Sequence, residues 1–544
     1  MNILAVIPAR GGSKGIPKKN VRMMVGQPLI SYAINNAKKC NLIDDIVVTT
    51  DNEEIASIAK FYGVQIIMRE AKLAKDNVTL DPVIYDATVK MEKKLEKKYD
   101  VVITLQATSP LLKSETLNQA ITEFCKGKAD TFISAVNSPH LAWSKNNKGF
   151  YPLYEKRLNR QELPTNYIET GAFLITKREY VKDNSRIGNN VSIYEVSEEE
   201  STDIDNITDW IVCENLLKKK KIILRCDGYQ KIGMGHIYHC LTLAYALTGN
   251  EVIIVTNQKH EEGLKKIKES HMPYVTVKND EDFFEFLKDY KPDIVVNDCL
   301  DTKEEYVKTL KQLCKRVVTI EDLGEGNKYA DVVINALYED KQNQNNVYSG
   351  AKYVALRNEF LIRTPKNFSN EVKEVLVLFG GTDPSNLTKK IYDIIKEIHA
   401  KYKKINYTFI TGIGYDYQKN KILSDEEYNI KVLNNISNIS EYIAKADLAF
   451  TSQGRTVYEL ASLGIPSIVL AQNERELLHT FAEISNGFIN LGLGEKVSKE
   501  NIKKTAEWLI ETPTIRYKMR ELMLKQDLKN GLNREIKLIL ESEM

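Results

Sequence analysis

The chain of 544 residues carries only seven cysteines, Cys40, Cys125, Cys213, Cys226, Cys240, Cys299 and Cys314, and no Cys-x-x-Cys pair among them. That excludes a paired-cysteine zinc site and a disulfide framework. It has no charge of one sign to spare, since Lys+Arg 76 against Asp+Glu 74 leaves +2. The broad basic face that nucleic acid or an anionic membrane would require is therefore missing. No stretch approaches the roughly 18 apolar residues of a membrane span. The apolar run Ile3–Ala9 has no basic segment before it and Arg10 directly after it, unlike a signal peptide. Low-complexity tracts and short repeats are also lacking. Together these absences predict a soluble, cytoplasmic protein in a reducing compartment, with no nucleic-acid or membrane partner and a small molecule as ligand.

What is present is apolar material for several cores, 43% of residues, arranged as short β-branched runs alternating with helical patterns along the whole length. This is the pattern of parallel α/β sheets. In the first third the spacing predicts strands over 3–8, 45–50, 64–69, 101–107 and 131–136, with helices over 28–39, 53–61, 80–98 and 115–126. An irregular stretch from Pro139 to Glu169, bearing Pro152 and Pro164, reads as an arm or a lid. Four lysines, Lys218–Lys221, run into a fresh strand and mark a domain junction, and the rhythm restarts again near Glu374. The expected domains are 1–217, 222–365 and 370–544, the last two forming a cleft between them.

Directly after the first strand comes Arg10-Gly11-Gly12-Ser13-Lys14-Gly15-Ile16-Pro17-Lys18-Lys19-Asn20. Glycines let backbone N–H groups approach an anion and the cations supply charge, as a nucleoside triphosphate requires. The spacing is not that of a Walker A loop. A solvated basic turn reads the same way, but the end of the first strand of an α/β sheet is where ligands bind. Much later, in Ser201-Thr202-Asp203-Ile204-Asp205, residues two apart face the same way in an extended segment. Asp203 and Asp205 can thus converge on one Mg²⁺, with Ile204 inward. Alternatively one aspartate caps the helix near Ile207, Asp205 being suited to both roles. Asp51 reads as the cap of the helix at Glu53, within reach of a nucleotide.

The segments IPARGGSKGIPKKN, VVTTDNEEIA, LQATSPLL, NRQELPTNY, TGAFLIT and STDIDNITDW, in this order, resemble the CMP-sialic acid synthetases and related nonulosonate cytidylyltransferases over residues 1–217. The resemblance implies a doubly wound, GT-A-like Rossmann nucleotidyltransferase domain, a homodimer formed through a protruding arm, and Mg²⁺-dependent transfer of CMP from CTP to a nonulosonic acid. It assigns CTP to Arg10, Gly12, Ser13, Lys14 and Asn20, the reacting phosphate to Lys19, the acid sugar to Gln106 and Arg160, and the metal to Asp203 and Asp205. Asp205 would assist removal of the sugar hydroxyl proton. Thr170, where the family commonly has asparagine, and Ala107, in place of proline, depart from the pattern.

The second part opens with Arg225-Cys226-Asp227-Gly228-Tyr229-Gln230-Lys231-Ile232-Gly233-Met234-Gly235-His236. A Gly-x-Gly turn is by itself only a tight strand-to-helix connection. His236 falls in the first turn of the helix, where the macrodipole favours the neutral base, and His239 lies on nearly the same face. Two further loops, Phe379–Ser385 and Ser452–Glu459, each pass from strand to helix as a phosphate cradle does, although Asp383 and Thr456 are also ordinary helix caps. With GGTDPSN and YELASLGIPSIV, these segments resemble the UDP-sugar hydrolases of pseudaminic acid biosynthesis, which are similar to GT-B glycosyltransferases, over about 222–540. The resemblance implies a GT-B-like pair of Rossmann lobes, with His236 activating water or placing the diphosphate. Gly233, Gly235, Gly381, Thr382, Gly454, Arg455, Thr456 and Glu459 would hold the UDP-sugar. His239 in place of arginine, and QGRT in place of a GGST-like loop, are departures. A glycosyltransferase and a non-catalytic UDP-sugar-binding module stand as alternatives for this half.

Overall fold

A computed structural model describes residues 1–13, 15–75, 77–229, 232–339, 344–418 and 420–541. The chain divides into two compact units, Met1–Lys219 and Lys220–Met544, and the division falls inside the lysine run. Among the described residues no helix is long and apolar enough to cross a membrane.

The first unit is built on one seven-stranded sheet. Its order is Val191–Glu195, Thr131–Asn137, Tyr167–Lys177, Val101–Leu105, Ile3–Pro8, Asp45–Thr50 and Gln65–Met68. Ile3–Pro8 runs parallel to both neighbours, and Ile3 to Ile7 are all buried, as a continuous apolar run covered on both faces requires. The sheet is not wholly parallel as expected, because Tyr167–Lys177 is antiparallel to both strands beside it. Only a single 3-10 turn, Arg160–Glu162, and no α-helix stands between Thr131–Asn137 and Tyr167–Lys177, and a chain that returns without a crossover helix pairs antiparallel. The irregular stretch contains a small hairpin, Trp143–Asn146 against Gly149–Pro152, and yields to the long strand at Tyr167. The helix expected to reach Lys98 stops at Leu95, since Glu96 takes a left-handed conformation, φ 50°, that ends it.

The second unit holds two parallel sheets. One has the order Tyr274–Val277, Glu251–Asn257, Lys221–Cys226, Ile294–Asp298, Arg316–Ile320, Val332–Asn335 and Val347–Ser349. The other runs Ile430–Asn434, Asn406–Thr411, Glu374–Leu378, Leu448–Thr451, Ser467–Ala471 and Phe488–Leu493. Each is a separate lobe, with one correction to the expected 370–544. The last helix, Gly531–Leu540, packs on the first lobe, burying Leu532 and Ile539 among Ile222, Ile237 and Ile334. Arg316 Nη2 donates to the Leu538 carbonyl at 2.9 Å, which fixes this crossing.

In each of the three large sheets the strand order reverses beside the first strand, so that its loop and that of a non-consecutive neighbour open at one crevice. The loop after Pro8 meets the end of Val101–Leu105, that after Cys226 meets Asp298, and that after Leu378 meets Ser452. The basic loop, the Gly233–His236 turn and the loops Phe379–Ser385 and Ser452–Glu459 follow these strand ends, whereas Arg160 lies on an exposed turn.

Candidate active site

In the first unit the basic loop and the aspartate segment, nearly 200 residues apart in sequence, are brought into contact. Lys19 Nζ donates to the carbonyl of Ile204. Gly15 lies so near Asp205 that a Cβ there would sit 2.3 Å from its carbonyl oxygen. Ile204 is fully buried while Asp203 is half-buried and Asp205 exposed, the alternation expected of an extended segment. The cap of the following helix is neither aspartate. Asn206 accepts from Thr208 N and Asp209 N at 2.8 and 3.2 Å, and Asp209 Oδ2 accepts in turn from Asn206 N and Asp205 N at 3.0 and 2.9 Å. This capping box leaves both expected carboxylates free of that duty. Asn206→Ala is expected to lower the unfolding free energy of this unit by about 1 kcal/mol in urea titrations, the loss of one N-cap.

The aspartate pair fits a divalent cation. Asp203 Oδ1 is buried with no hydrogen-bond partner, and burial raises its carboxyl pKa above the usual aspartate value, opposed first by the Thr108 hydroxyl and then by Lys19, and helped by Asp205. Lys19 is itself lowered, by burial first. No group of three His, Cys, Asp or Glu able to hold a metal occurs among the described residues, so a cation here would need further oxygen ligands from outside the protein.

Gln106 and Asp203 meet at Gly171. There the strand Tyr167–Lys177 shifts register between Glu169 and Leu174, and Gly171 has φ +71°. A Cβ on Gly171 would lie 2.9 Å from Gln106 Nε2 and 3.6 Å from Asp203 Oδ2, so only glycine leaves the bulge open toward both. Thr170 is turned away, its hydroxyl donating to Ser134 Oγ at 2.9 Å. Arg160 has another neighbour: on an exposed turn, its guanidinium lies 3.5 Å from Glu198. Gly12 is exposed, with open space where a Cβ would stand, and Ser13 is half-buried beside it. Lys14 lies outside the described residues. Asn20 is buried and closes the loop, Nδ2 donating to the Arg10 carbonyl at 3.0 Å. Asp51 is a correction. Asn52 caps the helix at Glu53, while Asp51 Oδ1 accepts from Gly11 N at 3.0 Å and braces the phosphate loop.

In the second unit a cleft of about 700 Å³ opens between the lobes. Gly233, Gly235 and His236 line one wall; Gly381, Thr382, Gly454, Arg455, Thr456 and Glu459 line the other. All the expected UDP-sugar residues thus share one cavity. His236 is the second residue of the helix Gly235–Ala246, as the sequence implies, and its Nδ1 is 2.6 Å from Asp298 Oδ1. Asp383 serves as a cap, accepting from Leu387 N and Thr388 N at 2.9 and 2.8 Å, whereas Thr456 begins its helix without a side-chain cap. Glu459 Oε1 accepts from Arg357 Nε at 2.8 Å.

Several groups in this cleft escape sequence reasoning. Glu321 is buried with φ 52°, and burial lifts its carboxyl to about 7 against the pull of Arg455, 3.2 Å away. Arg455 keeps a second nitrogen, Nη1, buried without a partner. Arg475 spans the lobes, its two terminal nitrogens 2.6 and 3.1 Å from Asp301 and its Nε 3.0 Å from Tyr338 Oη. His479 donates Nδ1–H to the Gln453 carbonyl and is held neutral, near 4, chiefly by burial. The only signal for Asp298 is an acidic residue closing a parallel strand, a position where ligand-facing groups collect.

The cytidylyltransferase family profile matches residues 4–208, and that of the glycosyltransferase family 28 C-terminal domain matches 375–523. An uncharacterized protein of Methanocaldococcus jannaschii is 35% identical over 47% of this chain and 56% of its own length, so the chain spans little more than half of that relative. The CMP-N,N'-diacetyllegionaminic acid synthase of Campylobacter jejuni is 33% identical over 40% of this chain and 97% of its own. A Helicobacter pylori protein named pseudaminic acid cytidylyltransferase and UDP-2,4-diacetamido-2,4,6-trideoxy-beta-L-altropyranose hydrolase is 24% identical over 93% of this chain and 94% of its own. Through its first unit, which covers almost all of a relative 33% identical and carries the phosphate loop facing an aspartate pair, the chain belongs to the cytidylyltransferase family.

Proposed function

We propose that the protein is a two-site sugar-nucleotide enzyme of nonulosonic acid biosynthesis. One site transfers CMP from CTP to the anomeric hydroxyl of a nonulosonic acid and releases diphosphate. The other hydrolyses a UDP-diacetamido-trideoxyhexose to UDP and the free sugar. The observation that carries the reading is the pairing of two separate nucleotide-type crevices in one chain, in the order of the two activities named for the Helicobacter pylori relative, which matches 93% of this chain.

In the first site Arg10, Gly12, Ser13 and Lys14 bind the triphosphate, and Asp51 and Asn20 hold their loop in shape. Gln106, beside the Gly171 bulge, contacts the acid sugar. The sugar hydroxyl oxygen attacks the α-phosphorus, diphosphate leaves, and Lys19 stabilises the charge that grows on the phosphate oxygens. Asp203 and Asp205 would hold Mg²⁺, which supplies charge neutralisation at the phosphates. Asp205, the more exposed of the two, receives the hydroxyl proton.

In the second site the backbone N–H groups around Gly381–Thr382 and Gly454–Thr456 face the diphosphate, and Glu459 the ribose. His236 takes a proton from the water that replaces UDP on the sugar. CTP and UDP-sugars are cytoplasmic metabolites, and we place the enzyme there. The test is a paired assay. Diphosphate release from CTP is followed with sialic, legionaminic and pseudaminic acids, and UDP release with UDP-2,4-diacetamido-2,4,6-trideoxyhexoses. Diphosphate release with none of the acids would end the first half of the reading; a sugar retained on a second molecule would turn the second half into a glycosyltransferase.

The hairpin Trp143–Asn146/Gly149–Pro152 exposes Trp143 at 54%, Phe150 at 73% and Leu153 at 63%. A rim of large apolar groups on a short two-stranded arm is costly to leave in water. We assign it to a homodimer contact. Phe150→Asp is expected to shift the protein from dimer to monomer in light scattering; an unchanged dimer would place the contact elsewhere.

A further inference from the structure

His239 is set unlike any other side chain in the cleft. It and Glu535 are wholly buried, as is Asp298. Nδ1 of His239 lies 2.6 Å from Asp298 Oδ2, and Nε2 lies 2.8 Å from Glu535 Oε2. A neutral imidazole has one N–H donor and one lone pair, so it cannot donate to two carboxylates at once; an imidazolium can. Asp298 is shared, its other oxygen lying 2.6 Å from His236 Nδ1.

We propose that His239 is a fixed imidazolium, clamped between Asp298 and Glu535, that positions His236 through their common aspartate and so makes the C-terminal helix part of the hydrolytic site. His239 has no free lone pair and is a positioning residue. Asp298, kept ionised, accepts Nδ1–H from His236 and leaves the Nε2 lone pair of His236 for the cleft. Glu535 arrives on the helix Gly531–Leu540, the one element that crosses from the end of the chain to the first lobe. The other charged groups facing His239 are Arg455, which opposes its proton, and Glu321, with His236 on its own helix. Burial and Arg455 pull the imidazolium down, Glu535 and Asp298 push it up, and the balance raises it to about 9. Asp298 is held far below the usual carboxylate range, burial being outweighed by the two histidines.

The proposal rests on the reading of His236 as the proton acceptor of a UDP-sugar hydrolase, and the experiment separates the two. Full-length protein labelled with ¹⁵N-histidine is compared with the isosteric variant Glu535→Gln and the conservative Glu535→Asp, with signals assigned by His239→Gln. At pH 7.5 wild-type His239 is expected to show two protonated ring nitrogens, and His236 one, at Nδ1. In Glu535→Gln the imidazolium signal should be lost and kcat for UDP release should fall about tenfold. KM and the affinity for UDP should hold, and Glu535→Asp should recover part of kcat. A neutral His239 in the wild-type protein overturns the clamp, and so does a Glu535→Gln variant with unchanged kcat. If wild-type protein releases no UDP, the hydrolase reading falls and the nitrogen shifts alone decide the clamp.

Discussion

Asp203→Ala is expected to lower CMP transfer from CTP by on the order of 10²–10³-fold, with UDP release in the other unit unchanged. The size of the effect follows from where the charge sits. Asp203 is half-buried, one carboxylate oxygen has no protein partner, and Lys19 reaches the same segment through the Ile204 carbonyl. A carboxylate desolvated this far, beside a second one, either takes up a proton or gains strongly from a cation beside it. Removing it should therefore raise the Mg²⁺ concentration needed for half-maximal rate as well as lower kcat. The pH dependence has a definite sign. In the metal-free protein burial raises the pKa of Asp203 above the usual aspartate value, so protons compete with Mg²⁺ for it, and the Mg²⁺ concentration needed should rise on acidification at a pH above that at which an exposed aspartate protonates. Diphosphate release measured against pH and Mg²⁺ checks all three outcomes. Full transfer activity in Asp203→Ala would remove the aspartate pair from the mechanism.

The second large effect is expected at His236. His236→Ala should abolish UDP release, a loss of about 10²–10⁴-fold, while UDP itself still binds and CMP transfer continues. Binding should survive because the groups proposed for the diphosphate and ribose, around Gly381, Gly454 and Glu459, line the opposite wall of the cleft. Calorimetry with UDP and the hydrolysis assay on the same sample separate the two. If UDP binding disappears with the histidine, His236 places the diphosphate and does not activate water. If UDP-sugars bind but neither wild type nor variant releases UDP, the second unit is a binding module.

The two sites were legible in the sequence to different depths. Glycine-rich turns after a strand and acidic residues spaced by two are local patterns; the turns stand at strand ends, and the Asp203–Asp205 segment is extended with Ile204 inward, as the spacing implies. Local competition between neighbours was less legible. Asp51 and Asn52, or Asp205 and Asn206, are each chemically able to cap, and in both places asparagine takes the cap while aspartate faces the site. The choice turns on which side chain lies over the first helical N–H groups, an angle that composition does not express. Arg160 shows the converse: the residue that the resemblance assigns to the acid sugar has Glu198 as its neighbour, on an exposed turn.

Spacing alone determined that this chain is a series of α/β sheets with phosphate-type loops at strand ends, because alternation of apolar runs, turn residues and helix starts is decided within a few residues of chain. The tertiary structure decided what those loops face. His236 and Asp298 are 62 residues apart, His239 and Glu535 296 apart, and Arg455 and Glu321 134 apart. Such pairs depend on which strands adjoin and on where the last helix crosses. Only the packed chain brings a buried carboxylate within 3 Å of His236 and of His239, because the partners come from strands and a helix far away in sequence.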